Sequence, residues 1–367
     1  MNNKFDKYRI DIIYSNEVLH LDILNLTSRK RETYQIQLEY SLLWECALGI
    51  AAITNTPLIT TLEKPQDYWT DIRESASKDL LQHLDYVEQN NTWKALLQLL
   101  HKRTFTHLDE FTTYIQELTC IELKFNCLPF LGTKFQAIRR NAAEGNKSAI
   151  KEMQELTGEH PYLPHYIAFI CYADDKALKE HLIHVMTGWY EAVIEKSSEK
   201  LLAILETDYE VKKQMAEKMH PEELIEWATG GISYLPEPSI YKVILIPQYI
   251  YRPWNIEADL EGAKVFYYPV ANESISPNDR YTPNHFFVLK YKALGDEVRL
   301  RIVKMLYEND CTLQELTSQL NIGKSTIHHH LKILRAAKLV EVSQSKYSLK
   351  KKAIAGLPKE IDLYLNQ

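Results

Sequence analysis

Apolar positions recur at two different spacings along the chain, and the change of spacing organises it. Over residues 4–26 the period is close to two: Phe5, Tyr8, Ile10, Ile12 and Tyr14 are followed, after Ser15, Asn16 and Glu17, by Leu19, Leu21, Ile23 and an off-register Leu24. Alternation sends successive side chains to opposite faces of a strand, so this segment is expected to form a hairpin. From about Gln37 to Gly230 the spacing turns helical, as in Leu80, Leu84 and Val87 or Leu96, Leu97 and Leu100, with a break at HPYLPH, 160–165. Six or more helices fit there. One has marked ends: Pro221 suits a first turn, Glu222 and Glu223 favour the positive end of the helix dipole, and Gly230 with Gly231 stops it.

Strands return at IYKVILIP, 240–247, and KVFYYPV, 264–270. They predict a small antiparallel sheet that reunites the two ends of this region around its helices. The polar, turn-rich stretch NESISPNDRYTPN, 272–284, then marks a boundary. The expected fold class is α+β: a mostly helical N-terminal domain with a small antiparallel sheet over 1–284, and a C-terminal winged helix-turn-helix domain over 285–367. A length of 367 residues suits two or three domains.

The second segment carries the informative pattern. In ALGDEVRLRIVKMLYEND, Asp296 can cap a helix whose apolar face is Val298, Ile302, Met305 and Leu306. TLQELTSQL opens with Thr312 and Glu315 three apart, a capping box that starts a second helix. NIG, 321–323, supplies a tight turn in which Gly323 is expected to take the unusual backbone conformation. A third helix is expected from Ser325, with Ile327, Leu331 and Leu334 inward. Lys324, Ser325, Thr326, His328, His329, Lys332 and Arg335 lie outward or at its amino end, where they can donate to phosphates or base edges. LVEV, a polar turn SQSK and YSL form a two-stranded wing, and Lys346 and Lys350, followed by Lys351 and Lys352, can grip the backbone beside the groove.

Charge sharpens this picture. The net charge is −6, but residues 285–367 hold 14 Lys and Arg against 8 Asp and Glu, so a tail of +6 follows a body of −12. A polyanion can dock on such a tail while the body repels it, which points to a local nucleic-acid footprint.

These motifs bear a family likeness. KALGDEVRLRIVKML, TLQELTSQL and STIHHHLKILRAAKLVEV resemble the ArsR family of winged helix-turn-helix repressors over about 65 residues. The resemblance implies a homodimer that binds double-stranded DNA at a two-fold symmetric operator and is usually released by an effector. Founding members sense metals through a Cys-x-Cys pair before GluLeu. Here Thr312 and Gln314 stand in those places, with Cys311 just outside, and the C-terminal helix, expected from about Pro358 to Gln367, has no histidine. A non-metal, small-molecule effector is therefore expected, with no metal and no cofactor. GISYLPEPSIYKVILIPQYIYRPWN with VFYYPV is similar to an uncharacterised domain that precedes the same winged helix in bacterial ArsR-like regulators.

Several other features of the chain have simpler explanations than a functional site. Consecutive histidines 328–330 point about 100° apart on a helix and cannot converge on one ion; His330 matches the family's packing histidine, and His328 and His329 are better placed for DNA. GKST, 323–326, lacks the glycine five residues earlier that a phosphate loop needs, since Ser318 stands there. His181 and His184, beside Glu180, fit a solvated helix face better than a metal site without a third ligand. Trp189, Tyr190, Tyr249, Tyr251, Arg252 and Trp254 have the composition of an effector pocket for an organic anion or flat ligand. Five scattered cysteines without a CxxC pair suit reduced thiols in a cytoplasmic setting, and no segment has a leader-like or membrane-spanning pattern. Catalytic fingerprints are absent, so no enzyme is expected. Two alternatives stay open: an enzyme or protein-docking body that uses the winged helix to bind a partner, and a metal-responsive repressor with atypical ligands such as Cys311.

Overall fold

The computed structural model describes residues 34–366 apart from 278, 280 and 344. The hairpin expected over 4–26 lies outside the described residues. Strand β1 (Gln35–Leu38) leads into helix α1 (Leu42–Ile53), whose sequence LLWECALGIAAI is buried at every position after Leu42. A helix apolar on all sides belongs at the centre of a bundle. Helix α2 (Lys78–Asn90) packs on α3 (Asp175–Trp189), while α3, α4 (Ser198–Ala216) and the helix Trp93–Leu100 pack around α1, with further helices at Leu108–Glu117, Cys120–Cys127, Gln136–Ala143, Lys147–Leu156 and Leu163–Tyr172. Gly49 lets α1 approach α3 closely: a Cβ there would stand 2.8 Å from the Trp189 indole. Helix α5 (Pro221–Ala228) has the ends expected of it, with proline in the first turn and Gly230 and Gly231 beyond its last.

The sheet corrects one expectation. Strands β2 (Lys242–Gln248), β3 (Ile256–Leu260) and β4 (Ala263–Pro269) join β1 in the order β1-β2-β4-β3. Only β3 and β4 are antiparallel; β1–β2 and β2–β4 are parallel. Connection length explains the difference. The β3–β4 link is a two-residue turn in which Gly262 has φ +71°, whereas the helices between β1 and β2 form a crossover that can return a strand in parallel. The near-continuous apolar runs in β2 and β4 belong to strands covered on both faces. Ile244, Ile246, Val265 and Tyr267 meet the main helical core, while Val243, Leu245, Phe266 and Tyr268 meet Leu224 and Ile225 of α5 and Tyr34.

The C-terminal elements are α6 (His285–Leu294), α7 (Glu297–Glu308), β5 (Cys311–Thr312), α8 (Leu313–Leu320), α9 (Lys324–Ala336), β6 (Val340–Ser343), β7 (Lys346–Leu349) and α10 (Lys351–Leu365). They enclose a core of their own, including Ile302, Leu306, Leu316, Ile327, Leu331, Leu334 and Leu349. The architecture is α+β with a winged helix-turn-helix at the end. The wing gains a third strand, with β5 and β6 flanking β7. The last helix begins at Lys351 instead of near Pro358, which sits inside it. Ile354 and Leu357 are covered along that added length, Ile354 against the winged-helix core, and this burial offsets the hydrogen bond proline cannot make.

Candidate nucleic-acid interface

Capping side chains fix the orientation of the three helices that build the surface. Asp296 Oδ1 accepts the Arg299 N–H at 2.9 Å at the start of α7, and this bond holds its carboxyl below the usual range. At α8 the Glu315 carboxylate accepts the Thr312 N–H at 2.7 Å and the Thr312 hydroxyl at 2.9 Å, while Thr312 Oγ1 accepts the Glu315 N–H. The turn into α9 differs from expectation in one detail. Asn321, at φ +54°, takes the left-handed conformation, and Gly323 has an ordinary φ of −55°. Asparagine's short polar side chain tolerates that region, so glycine is not required for it. Helix α9 begins one residue early, at Lys324.

Along α9, Ile327, Leu331 and Leu334 are buried, whereas Lys324, Ser325, Thr326, His328, His329, Lys332 and Arg335 are all exposed. The outward face is therefore a row of donors with no carboxylate among them. His330 lies half-buried, its Nδ1 3.7 Å from Asp296 Oδ1, where it links α9 to the cap of α7. Lys346 is exposed at the start of β7. Lys350 is placed differently: it is half-buried, donates to the Gly231 carbonyl and lies 3.5 Å from Glu341. Lys351 sits over the Tyr307 ring.

The two lobes share a groove of about 560 Å³ in which His328, Lys332 and Arg335 face Trp254 and Glu257. Lys338, outside the outward row that the sequence predicts on α9, lines this groove too. Burial, and next the Lys350 charge, push its ammonium down to about 8. The only sequence signal for it is its place between two alanines and the LeuVal that enters the wing.

The six aromatic and basic residues expected to form one effector pocket are dispersed. Trp189 is fully buried against Gly49, and Tyr190 and Tyr251 pack on the main core. Arg252 is 3% exposed and already committed, with Nε 2.7 Å from Glu63 and its other nitrogens on the Val270 carbonyl and Asn272. Trp254 donates to Thr61 Oγ1 at 2.9 Å. Tyr249 alone of the six lines a separate cavity of about 410 Å³, with Glu45, Lys64, Tyr68, Val193 and Leu201. Its wall includes the single π-helical turn at Tyr190–Ile194, a geometry frequent at functional sites. Glu45, 1% exposed, accepts the backbone N–H groups of Tyr249 and Ile250, and Lys64 Nζ lies over the Tyr68 and Tyr249 rings at 4.8 and 4.4 Å.

The expected solvated face at His181 and His184 is also corrected. His184 is exposed, but His181 is 4% exposed and hydrogen-bonded to Thr92 and His83. Burial, then the neighbouring histidines, push its imidazole down to about 3. The cysteines are all free. Among the described residues no helix is long and apolar enough to cross a membrane.

No solved structure matches the chain. Over 50 residues, 14% of its length, the chain is 36% identical to the transcriptional repressor SdpR of Bacillus subtilis (strain 168), and it spans only 56% of that relative. Residues 296–342, from the cap of α7 through the first long wing strand, match the family described as bacterial regulatory protein, arsR family.

Proposed function

We propose that the protein is a DNA-binding transcriptional repressor that reads a two-fold symmetric operator as a cytoplasmic homodimer. One observation carries this: seven polar or basic residues of α9 are exposed on one side, while three apolar residues anchor the other in a separate core. Helix α9 has the size and exposed donors to enter a major groove. In this proposal Lys324, Ser325, Thr326, His328 and His329 reach base edges and nearby phosphates, and Lys332, Arg335 and Lys346 neutralise backbone charge. Lys350 holds the wing against the body. The division of labour falls at residue 284, with the winged helix binding DNA and the body sensing a non-metal effector. Of the residues proposed for that effector, Tyr249 keeps the strongest support, because it lines a cavity.

The homodimer is supported by apolar side chains left uncovered near the C terminus: Ile361, Leu363 and Leu365 on α10 are 38, 55 and 72% exposed. A second copy would bury them. The SdpR name and the arsR match agree with repression.

The direct test is binding of the purified full chain to a fluorescent duplex from upstream of its own gene, with sedimentation to fix the stoichiometry. One dimer per site, steep weakening with salt and discrimination over shuffled DNA are expected. Absence of binding by a pure dimer, or indifference to sequence, would overturn the proposal.

A further inference from the structure

Helices α2 and α3 carry a side-chain constellation that DNA binding does not use. Asp79 and His83 are one turn apart on α2 and face the same way, with His83 Nε2 3.9 Å from Asp79 Oδ1. His184 on α3 lies beside them, its ring 5.3 Å from that of His83 at an interplanar angle of 84°. One ligand atom from each of the three lies within 4.8 Å of the others. We propose that Asp79, His83 and His184 bind one divalent transition-metal ion and so clamp α2 to α3.

A second, independent feature supports the site from behind. His83 Nδ1 is 2.9 Å from His181 Nδ1, and His181 Nε2 is 2.8 Å from Thr92 Oγ1; His181 and Thr92 are both buried. Two facing Nδ1 atoms share one proton. If His83 holds it, His83 donates to His181, His181 keeps its own proton on Nε2 and donates to Thr92, and the His83 Nε2 lone pair is left free on the side of Asp79 and His184. A ligating histidine characteristically has its other ring nitrogen engaged in this way, which fixes both tautomer and ring angle.

The donor set selects the class of ion. Two imidazole nitrogens and one carboxylate oxygen suit zinc and its first-row neighbours, whereas calcium and magnesium prefer sets made wholly of oxygen. In a tetrahedral zinc site donors stand ~3.3 Å apart, so small rotations of the exposed Asp79 and His184 side chains complete the geometry and leave a fourth position for water. The site lies outside residues 296–342 and does not depend on the proposal for DNA.

The test uses the tag-free full chain stripped by chelator, with zinc content measured by atomic emission and Co²⁺ as a spectroscopic probe. One ion per chain is expected, with a visible cobalt ligand-field band. His184→Ala, at an exposed position, and His83→Ala each remove a ligand and should weaken binding by more than the roughly 10- to 100-fold that loss of a ligand's supporting partner costs. His181→Gln should weaken it about 10-fold or more without removing a ligand, since only the supporting bond is lost. Circular dichroism confirms folding of each variant. A wild-type chain that shows no cobalt band, or that binds no more zinc than the His83→Ala/His184→Ala double variant, would overturn the assignment.

Discussion

Lys350 Nζ donates to the backbone carbonyl of Gly231, so the basic residue that closes the wing is tied to the body instead of facing solvent. Gly231 has φ +118°, and the neighbouring Lys338 Cβ is 3.1 Å from where a side chain would begin, so this crossing is tight. Lys332 on α9 is exposed by contrast. Each phosphate contact adds about 0.9 to the slope of log affinity against log salt. Lys332→Ala should therefore flatten the slope by roughly that amount, while Lys350→Ala leaves it nearly unchanged. Fluorescence anisotropy across a salt series measures both. An equal loss in the two variants would mean that Lys350 leaves Gly231 when DNA is bound.

His328 and His329 sit on the exposed side of α9 next to the buried Ile327 and Leu331. Both residues are exposed, so His328→Ala with His329→Ala should leave the unfolding midpoint within about 2 °C of wild type. A base contact is worth about 1–3 kcal/mol of discrimination, which corresponds to roughly 5- to 150-fold. Competition between the upstream duplex and shuffled DNA should narrow by at least the lower figure, with the affinity for shuffled DNA little changed. Parallel weakening on both duplexes would assign the two histidines to phosphate instead.

Local rules made the winged helix legible in the sequence. Asp296, Thr312 with Glu315, and the Ile327, Leu331 and Leu334 spacing depend on neighbours within four residues, and each behaves in the structure as its local pattern predicts. Non-local geometry was out of reach. Whether β2 pairs in parallel is settled by a β1 strand some 200 residues away. The aromatic set around Arg252 had the right composition for a pocket, but Glu63, Val270 and Asn272 consume the guanidinium, and no spacing rule announces them. His83 and His181 are 98 residues apart, so the histidine cluster exists only once α2 packs on α3.

Thr312 and Leu331 separate capping from packing within the same domain. Thr312→Ala removes the acceptor for the Glu315 N–H and one donor to its carboxylate, at a cost of about 1 kcal/mol. Leu331→Ala opens a cavity at a side chain that is 1% exposed, at a cost of about 2–5 kcal/mol. Urea unfolding followed by circular dichroism should rank the variants in that order. DNA affinity should survive the first substitution and fall with the second, because Leu331 holds the readout helix on its core. Equal destabilisation would show that the cap contributes more than its local bonds.

Glu45 gives the body a pH dependence whose sign can be worked out. Burial raises its carboxyl to about 7 from an ordinary 4.5, against the opposing effect of the Tyr249 and Ile250 N–H groups and Lys64. Below pH 4.5 the group is protonated in both folded and unfolded chains and costs nothing. Between 4.5 and 7 the unfolded chain ionises while the folded chain keeps its proton, so stability falls as pH rises, by about 3 kcal/mol in all. His101 and His181, each pushed down to about 3 by burial, act in the opposite sense: the unfolded chain takes up their protons first, and stability is lost as pH drops below 6.5. The two effects overlap and must be separated by a variant. Glu45→Gln removes the titrating carboxyl, and the mismatch of its amide with the two N–H groups adds only a pH-independent offset. In chelator, urea unfolding from pH 5 to 8 should therefore show the variant gaining on wild type by about 1.4 kcal/mol per pH unit up to pH 7 and levelling off above it. A constant difference across the series would mean that Glu45 ionises in the folded protein as it does in water.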